Sequence, residues 1–185
     1  MSLFATGMSE VTMNPPPIRF EPLFTAEHGA LFAHLIETVM WDERMKARKT
    51  ASFGVSYDYS QITYDETPMP DGLVSLAGRI GDMLGFVPNN CLLNFYEDGS
   101  SSMGFHSDSS EELEPGTGVA IVSLGSVRNL VFRSKVDKSV EYAYPLPPGS
   151  LIYMTREVQD HWLHAIPKLV GAGPRISLTF RSIIK

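Results

Sequence analysis

The chain of 185 residues has a single cysteine, Cys91, so no intramolecular disulfide can form. That excludes a cross-linked framework and leads us to expect a reducing, intracellular compartment, the cytoplasm by default. No stretch approaches the ~20 consecutive apolar residues a helix needs to cross a bilayer, so no membrane association is expected. Basic residues are in deficit, with 15 Lys and Arg against 21 Asp and Glu and a formal net charge of −6. This argues against a broad basic surface that grips nucleic acid, though not against a local basic groove. The opening MSLFATGMSEVTMNPPP has neither the basic start nor the apolar core of a secretory signal, and residues 1–17 are expected to be a disordered segment. Histidines are few, five in all.

The rest has the 43% hydrophobic and 19% charged content of a globular protein, and its length suits one domain, expected over residues 18–185. TAEHGALFAHLIETVMW predicts a helix with Thr25 as cap and Leu31, Leu35 and Val39 in one row. MPDGLVSLAGRIGDMLGF predicts a second, capped by Asp71, with Leu73, Leu76, Ile80 and Leu84 in a stripe and Gly85 as its stop. Between them, SFGVSYDYSQITY alternates so that Phe53, Val55, Tyr57 and Tyr59 share a face, an aromatic hairpin or lid expected around residues 44–66. DERMKARK clusters Arg44, Lys46, Arg48 and Lys49, either a solvated loop or a set of phosphate contacts. From Cys91 onward short β runs follow one another with no helical period between them. Consecutive strands without crossover helices predict a mainly β protein, an antiparallel sandwich or barrel with the helices packed outside.

GFHSDSSEEL places His106 and Asp108 two residues apart, and in extended chain such residues point to the same side. They suit a metal, but an H-x-D in a serine-rich loop is also a common polar loop, and a third ligand is needed. QDHWLHAIPK offers His161 and His164, whereas His28 and His34 fall in the amphipathic helix. Two histidines and one carboxylate leave coordination positions open, as suits non-haem Fe(II), while a closed structural zinc site would want four protein ligands. In PRISLTFRSI, Arg175, Ser177, Thr179 and Arg181 share one strand face opposite Ile176, Leu178 and Phe180. This is either an ordinary strand with its polar face in water or a pair of half-buried arginines requiring an anion, for which a dicarboxylate is apt.

NFYEDGSSSMGFHSD, GSLIYMTREVQDHWLHAIPK and PRISLTFRSI together resemble the AlkB family of Fe(II)- and 2-oxoglutarate-dependent dioxygenases, in order and spacing as well as residue type. The resemblance covers about residues 88–183, with weaker similarity from Arg48 to Gly85. It implies a double-stranded β-helix, or jelly roll. It also implies His106, Asp108 and His164 as iron ligands and catalytic residues, with His164 rather than His161 in the distal position. Asn94, Tyr96, Arg175 and Arg181 would bind the cosubstrate 2-oxoglutarate. Six residues of straight strand span roughly 20 Å, too far for both arginines to clamp one molecule's ends, so Arg175 is assigned the distal carboxylate and Arg181 a place nearer the metal, through Asp108.

The implied reaction uses O2 to hydroxylate an N-alkyl group, converts 2-oxoglutarate to succinate and CO2, and releases an aldehyde. Alkylated DNA or RNA is the implied substrate, with an extruded base stacked on aromatic side chains. Tyr57, Tyr59 and Phe53 are the candidates for that stack, with Trp162 expected to line the same pocket. Base-repairing relatives often carry a further acidic residue just after H-x-D, where this chain has Ser109 and Ser110, so Glu111 or Glu112 would have to substitute. The alternatives are the same chemistry on a protein, lipid or small molecule, a zinc hydrolase, or a non-catalytic jelly-roll binding module. No obligate protein partner is expected.

Overall fold

A computed structural model describes residues 14–184; residues 1–13, most of the segment expected to be disordered, lie outside them. Along the chain run β1 (Arg19–Glu21), α1 (His28–Thr38), β2 (Lys49–Gly54), β3 (Tyr57–Tyr59), β4 (Ile62–Tyr64), α2 (Asp71–Leu84), β5 (Asn90–Tyr96) and β6 (Met103–His106). They are followed by β7 (Val119–Gly125), β8 (Arg128–Ser134), β9 (Glu141–Leu146), β10 (Leu151–Met154), α3 (Arg156–His161), β11 (Trp162–Ile166) and β12 (Arg175–Arg181).

The strands form a six-stranded sheet in the order β1-β10-β7-β12-β5-β2 and a four-stranded sheet in the order β6-β11-β8-β9, with β3 and β4 as a separate hairpin. Every pairing is antiparallel, as chain segments without crossover helices require. This is the antiparallel sandwich with flanking helices that the β runs predicted, and the jelly roll that the family resemblance implied. Among the described residues no helix is long and apolar enough to cross a membrane.

The large sheet has two apolar faces. Cys91, Leu93, Val122, Leu124, Ile176, Leu178 and Phe180 pack with Leu35 of α1 and Leu73, Leu76 and Ile80 of α2. The opposite face contributes Leu92, Tyr96 and Ile121 to a second core shared with Leu130, Phe132, Trp162 and Ile166 of the small sheet. Each fully buried Leu or Ile here is worth about 1.5–3 kcal/mol, and together they hold the sheets face to face. β12 lies centrally, paired along its length with β5 and β7. All seven of its residues are buried, so its polar face is not in water: Arg175, Ser177, Thr179 and Arg181 turn into the space between the sheets.

Several local expectations need correction. α1 starts at His28 after Glu27, and the Thr25 hydroxyl donates to the Glu27 carboxylate at 3.2 Å instead of capping. Asp71 is the first residue of α2, after Pro70, and Gly85 does end that helix in the left-handed region at φ 82°. The alternation from Phe53 to Tyr59 breaks at Gly54, where φ is 93° and a Cβ would lie 2.0 Å from the Asn89 carbonyl oxygen. Phe53 therefore packs toward the helices and Tyr57 into the inter-sheet core. The run after β10 is not free of helix: α3 is six residues long, too short to print a helical period.

Candidate metal and cosubstrate site

Register does the first part of the assembly. β6 and β11 pair so that His106 stands opposite His164, their rings 4.4 Å apart. Asp108, beyond the end of β6, brings Oδ2 to 3.5 Å from His164 Nε2. The possible ligand atoms of His106, Asp108 and His164 all lie within 4.8 Å of one another. His161, the other candidate, is exposed on α3, its Nδ1 2.9 Å from the Glu157 carbonyl, and is outside the cluster.

The electrostatics suit a cation. Burial opposes ionisation of Asp108, but the Arg181 guanidinium and the two imidazoles outweigh it and hold its pKa at about 2. Burial pushes His164 down to about 4, further than the Asp108 charge can offset, so at neutral pH its imidazole is uncharged. His106 Nδ1 lies 2.9 Å from the Gly104 carbonyl, which can only accept, so Nδ1 is the donating nitrogen and Nε2 is the one available to a metal. Two imidazoles and one carboxylate are a donor set suited to a three-ligand iron site with open positions.

This cluster opens into a small pocket lined also by Asn94, Tyr96, Arg175, Ser177, Thr179 and Arg181, among others. Arg181 donates to Asp108 Oδ1 at 2.7 Å. Arg175, only 1% exposed, donates from Nη2 to Ser123 Oγ at 2.9 Å and lies over the Tyr96 ring, while its Nε and Nη1 are buried without partners among the described residues. A buried guanidinium with idle donors and no carboxylate beside it fits an absent carboxylate ligand. Burial raises the Tyr96 phenol, which stays protonated and donates to Met103 Sδ at 3.9 Å. The side chains present therefore fit both a divalent metal and a dicarboxylate.

Comparison with known proteins agrees with this geometry. The profile of the 2OG-Fe(II) oxygenase superfamily matches residues 31–181. "Alpha-ketoglutarate-dependent dioxygenase alkB homolog 3" of Mus musculus is 31% identical over 204 aligned positions that take in 99% of this chain and 69% of the relative. The chain belongs to the AlkB family of 2OG-Fe(II) oxygenases. A second AlkB relative, "DNA oxidative demethylase ALKBH2" of Homo sapiens, is 35% identical over 148 residues, 74% of this chain and 57% of that protein. This chain thus spans little more than half the length of that relative. The solved structure of OsALKBH1 shares the fold at a TM-score of 0.67 and 14% identity, covering 92% of this chain and all of that one.

The remaining expected site residues of this AlkB chain divide. Tyr59 lines the pocket, and Tyr57 is buried beneath Arg181, whose guanidinium carbon is 5.0 Å from the ring centroid. Trp162 shares the inward side of β11 with His164 but packs edge-on against Tyr142 at 5.7 Å and does not line this pocket. Glu111 is exposed in a shallow groove with Asp58 and Glu112, outside the pocket. The basic cluster is not a row of free cations: Arg44 pairs with Asp42, and Lys49 lies 2.7 Å from Glu43 and 3.0 Å from Glu97. Arg48 is 7% exposed and turned inward, donating to Asn94 Oδ1 at 2.7 Å and to the Tyr59 hydroxyl.

Sequence reasoning missed Arg128, Ser123 and Gln159. Arg128 is fully buried and donates to the carbonyls of Asp98, Ser101 and Pro167, tying the β5–β6 loop to the end of β11. Gln159 reaches Asp108 from α3. None stands in a spacing pattern, since each acts on a partner distant in the chain.

Proposed function

We propose that this protein is an Fe(II)- and 2-oxoglutarate-dependent dioxygenase that removes alkyl groups from base nitrogens in DNA or RNA. The observation that carries this is one buried pocket holding His106, Asp108 and His164 beside a guanidinium, Arg175, with unused donors. A zinc hydrolase would have no use for that second feature. The named activities of the alkB homologue 3 and ALKBH2 relatives support the reaction class and the nucleic-acid substrate.

His106, Asp108 and His164 hold the metal in this reading, which with 2-oxoglutarate and O2 supplies the oxidising chemistry. Arg175 grips the distal carboxylate, and Asn94 and Tyr96 orient the cosubstrate from the neighbouring strand β5. Arg181 keeps Asp108 ionised and fixes one of its oxygens, leaving the other for the metal. The apolar side chains packed between the sheets exclude water and so lower the local dielectric. Tyr59, on a hairpin that acts as a lid around residues 44–66, is the side chain best placed to stack on a base, and Arg48 holds its hydroxyl.

A protein or other cationic substrate is the second reading, favoured by the acidic groove of Asp58, Glu111 and Glu112 beside Tyr57. The test incubates the protein with Fe(II), ascorbate, 2-oxoglutarate and N-methylated single- and double-stranded oligonucleotides, measuring succinate and demethylated base. Both are expected. Succinate without base repair would overturn the nucleic-acid assignment, and no succinate with any substrate would overturn the dioxygenase itself.

A further inference from the structure

Asp108 lies two residues past the last paired residue of β6, so no strand ladder aims its carboxylate. Its backbone N–H donates to Gln159 Oε1 at 2.9 Å. That bond settles the amide's orientation, since the oxygen must accept and Nε2 must then be the donor. Nε2 reaches Asp108 Oδ2 at 3.4 Å and Met154 Sδ at 3.7 Å. Gln159 is 2% exposed, so these contacts are shielded from bulk water. Oδ1 is held by Arg181 at 2.7 Å, and Oδ2 faces His164 Nε2 at 3.5 Å. Gln159 thus grips both the main chain and the cation-facing oxygen of Asp108, from a helix whose last residue joins directly to β11, the strand that carries His164.

We propose that Gln159 is a positioning residue that sets the geometry of the metal ligand Asp108 and ties it to His164. This rests on the reading of His106, Asp108 and His164 as a cation site. A neutral amide is suited to the role: it restrains the carboxylate by hydrogen bonding without adding charge that would compete with Arg181. The backbone bond is the stronger restraint, because 3.4 Å is at the long end for hydrogen bonding. Outer partners of this kind typically change metal affinity 10- to 100-fold when removed.

The experiment titrates Co(II) alone into the metal-free full chain and follows its visible absorption, which reports both affinity and coordination geometry. Gln159→Met, similar in length and unable to hydrogen-bond Asp108 in the same way, should bind Co(II) about 10- to 100-fold more weakly and with an altered spectrum. His161→Ala, an exposed change on the same helix, should bind as wild type does. If Gln159→Met does not fold, Gln159→Asn keeps a buried amide but withdraws it by one methylene, and the same weakening is expected. Wild-type affinity and spectrum in either folded variant would overturn the positioning role, even if the metal-free melting temperature fell. Wild type that fails to bind Co(II) would overturn this role together with the cation site, whereas absent succinate with normal Co(II) binding would overturn only the dioxygenase reading.

Discussion

His164 makes the metal-free protein acid-sensitive in a definite window. Burial pushes its imidazole down to about 4 from the usual 6.5. The unfolded chain therefore takes up a proton first as the pH falls, and the folded state loses stability by comparison. The contribution is fully present above pH 6.5 and is lost progressively down to about pH 4. At about 1.36 kcal/mol per pH unit the gap amounts to about 3 kcal/mol, or roughly 6–12 °C in melting temperature for a domain of this size. Asp108, with its pKa lowered from 3.8 to about 2, acts only below that window. The assay follows thermal unfolding of metal-free wild type and His164→Asn by circular dichroism between pH 7 and pH 4. Wild type should lose stability more steeply than the variant, and the two curves should converge toward pH 4. Parallel curves would refute the claim that a buried neutral imidazole sets this dependence. Saturating Co(II) should steepen the wild-type acid response, because the ligands must shed protons to bind.

Arg181→Met removes the partner of a carboxylate whose side chain is 5% exposed, and breaking a buried pair of this kind should cost about 3–5 kcal/mol in urea unfolding. Arg175→Met should fold, keep Co(II) binding within about twofold and weaken 2-oxoglutarate binding by about tenfold or more, measured by competition calorimetry, since a charge-assisted hydrogen bond is worth about 1.5–3 kcal/mol. Gly54→Ala combines φ 93° with a Cβ 2.0 Å from the Asn89 carbonyl oxygen, so its melting temperature should drop by more than the few degrees that about 1 kcal/mol represents; an unchanged value would show that β2 can shift freely.

What was legible along the chain was whatever repeats on a short period. Alternation in PRISLTFRSI placed Arg175 and Arg181 on one face because strand side chains alternate strictly, and the stripe on α2 followed from 3.6 residues per turn. Where one residue breaks the period, as Gly54 does, reading by alternation put Phe53 on the wrong side. α3 is too short to show a repeat, and so Gln159 was invisible.

The sequence by itself determined the mainly β class, the faces of β12 and the candidate donors, because these depend on backbone periodicity and side-chain chemistry alone. The family resemblance already pointed to His164, but what brings it beside His106 is the β6–β11 register, a pairing between segments distant in the chain. Whether the β12 arginines meet water or a pocket was decided by the second sheet closing over them. Arg48 shows the same limit from the other side. It sits in a surface-like run of charges, yet it is turned to Asn94 across the β2–β5 pairing, because burial is a property of the packed fold and not of local composition.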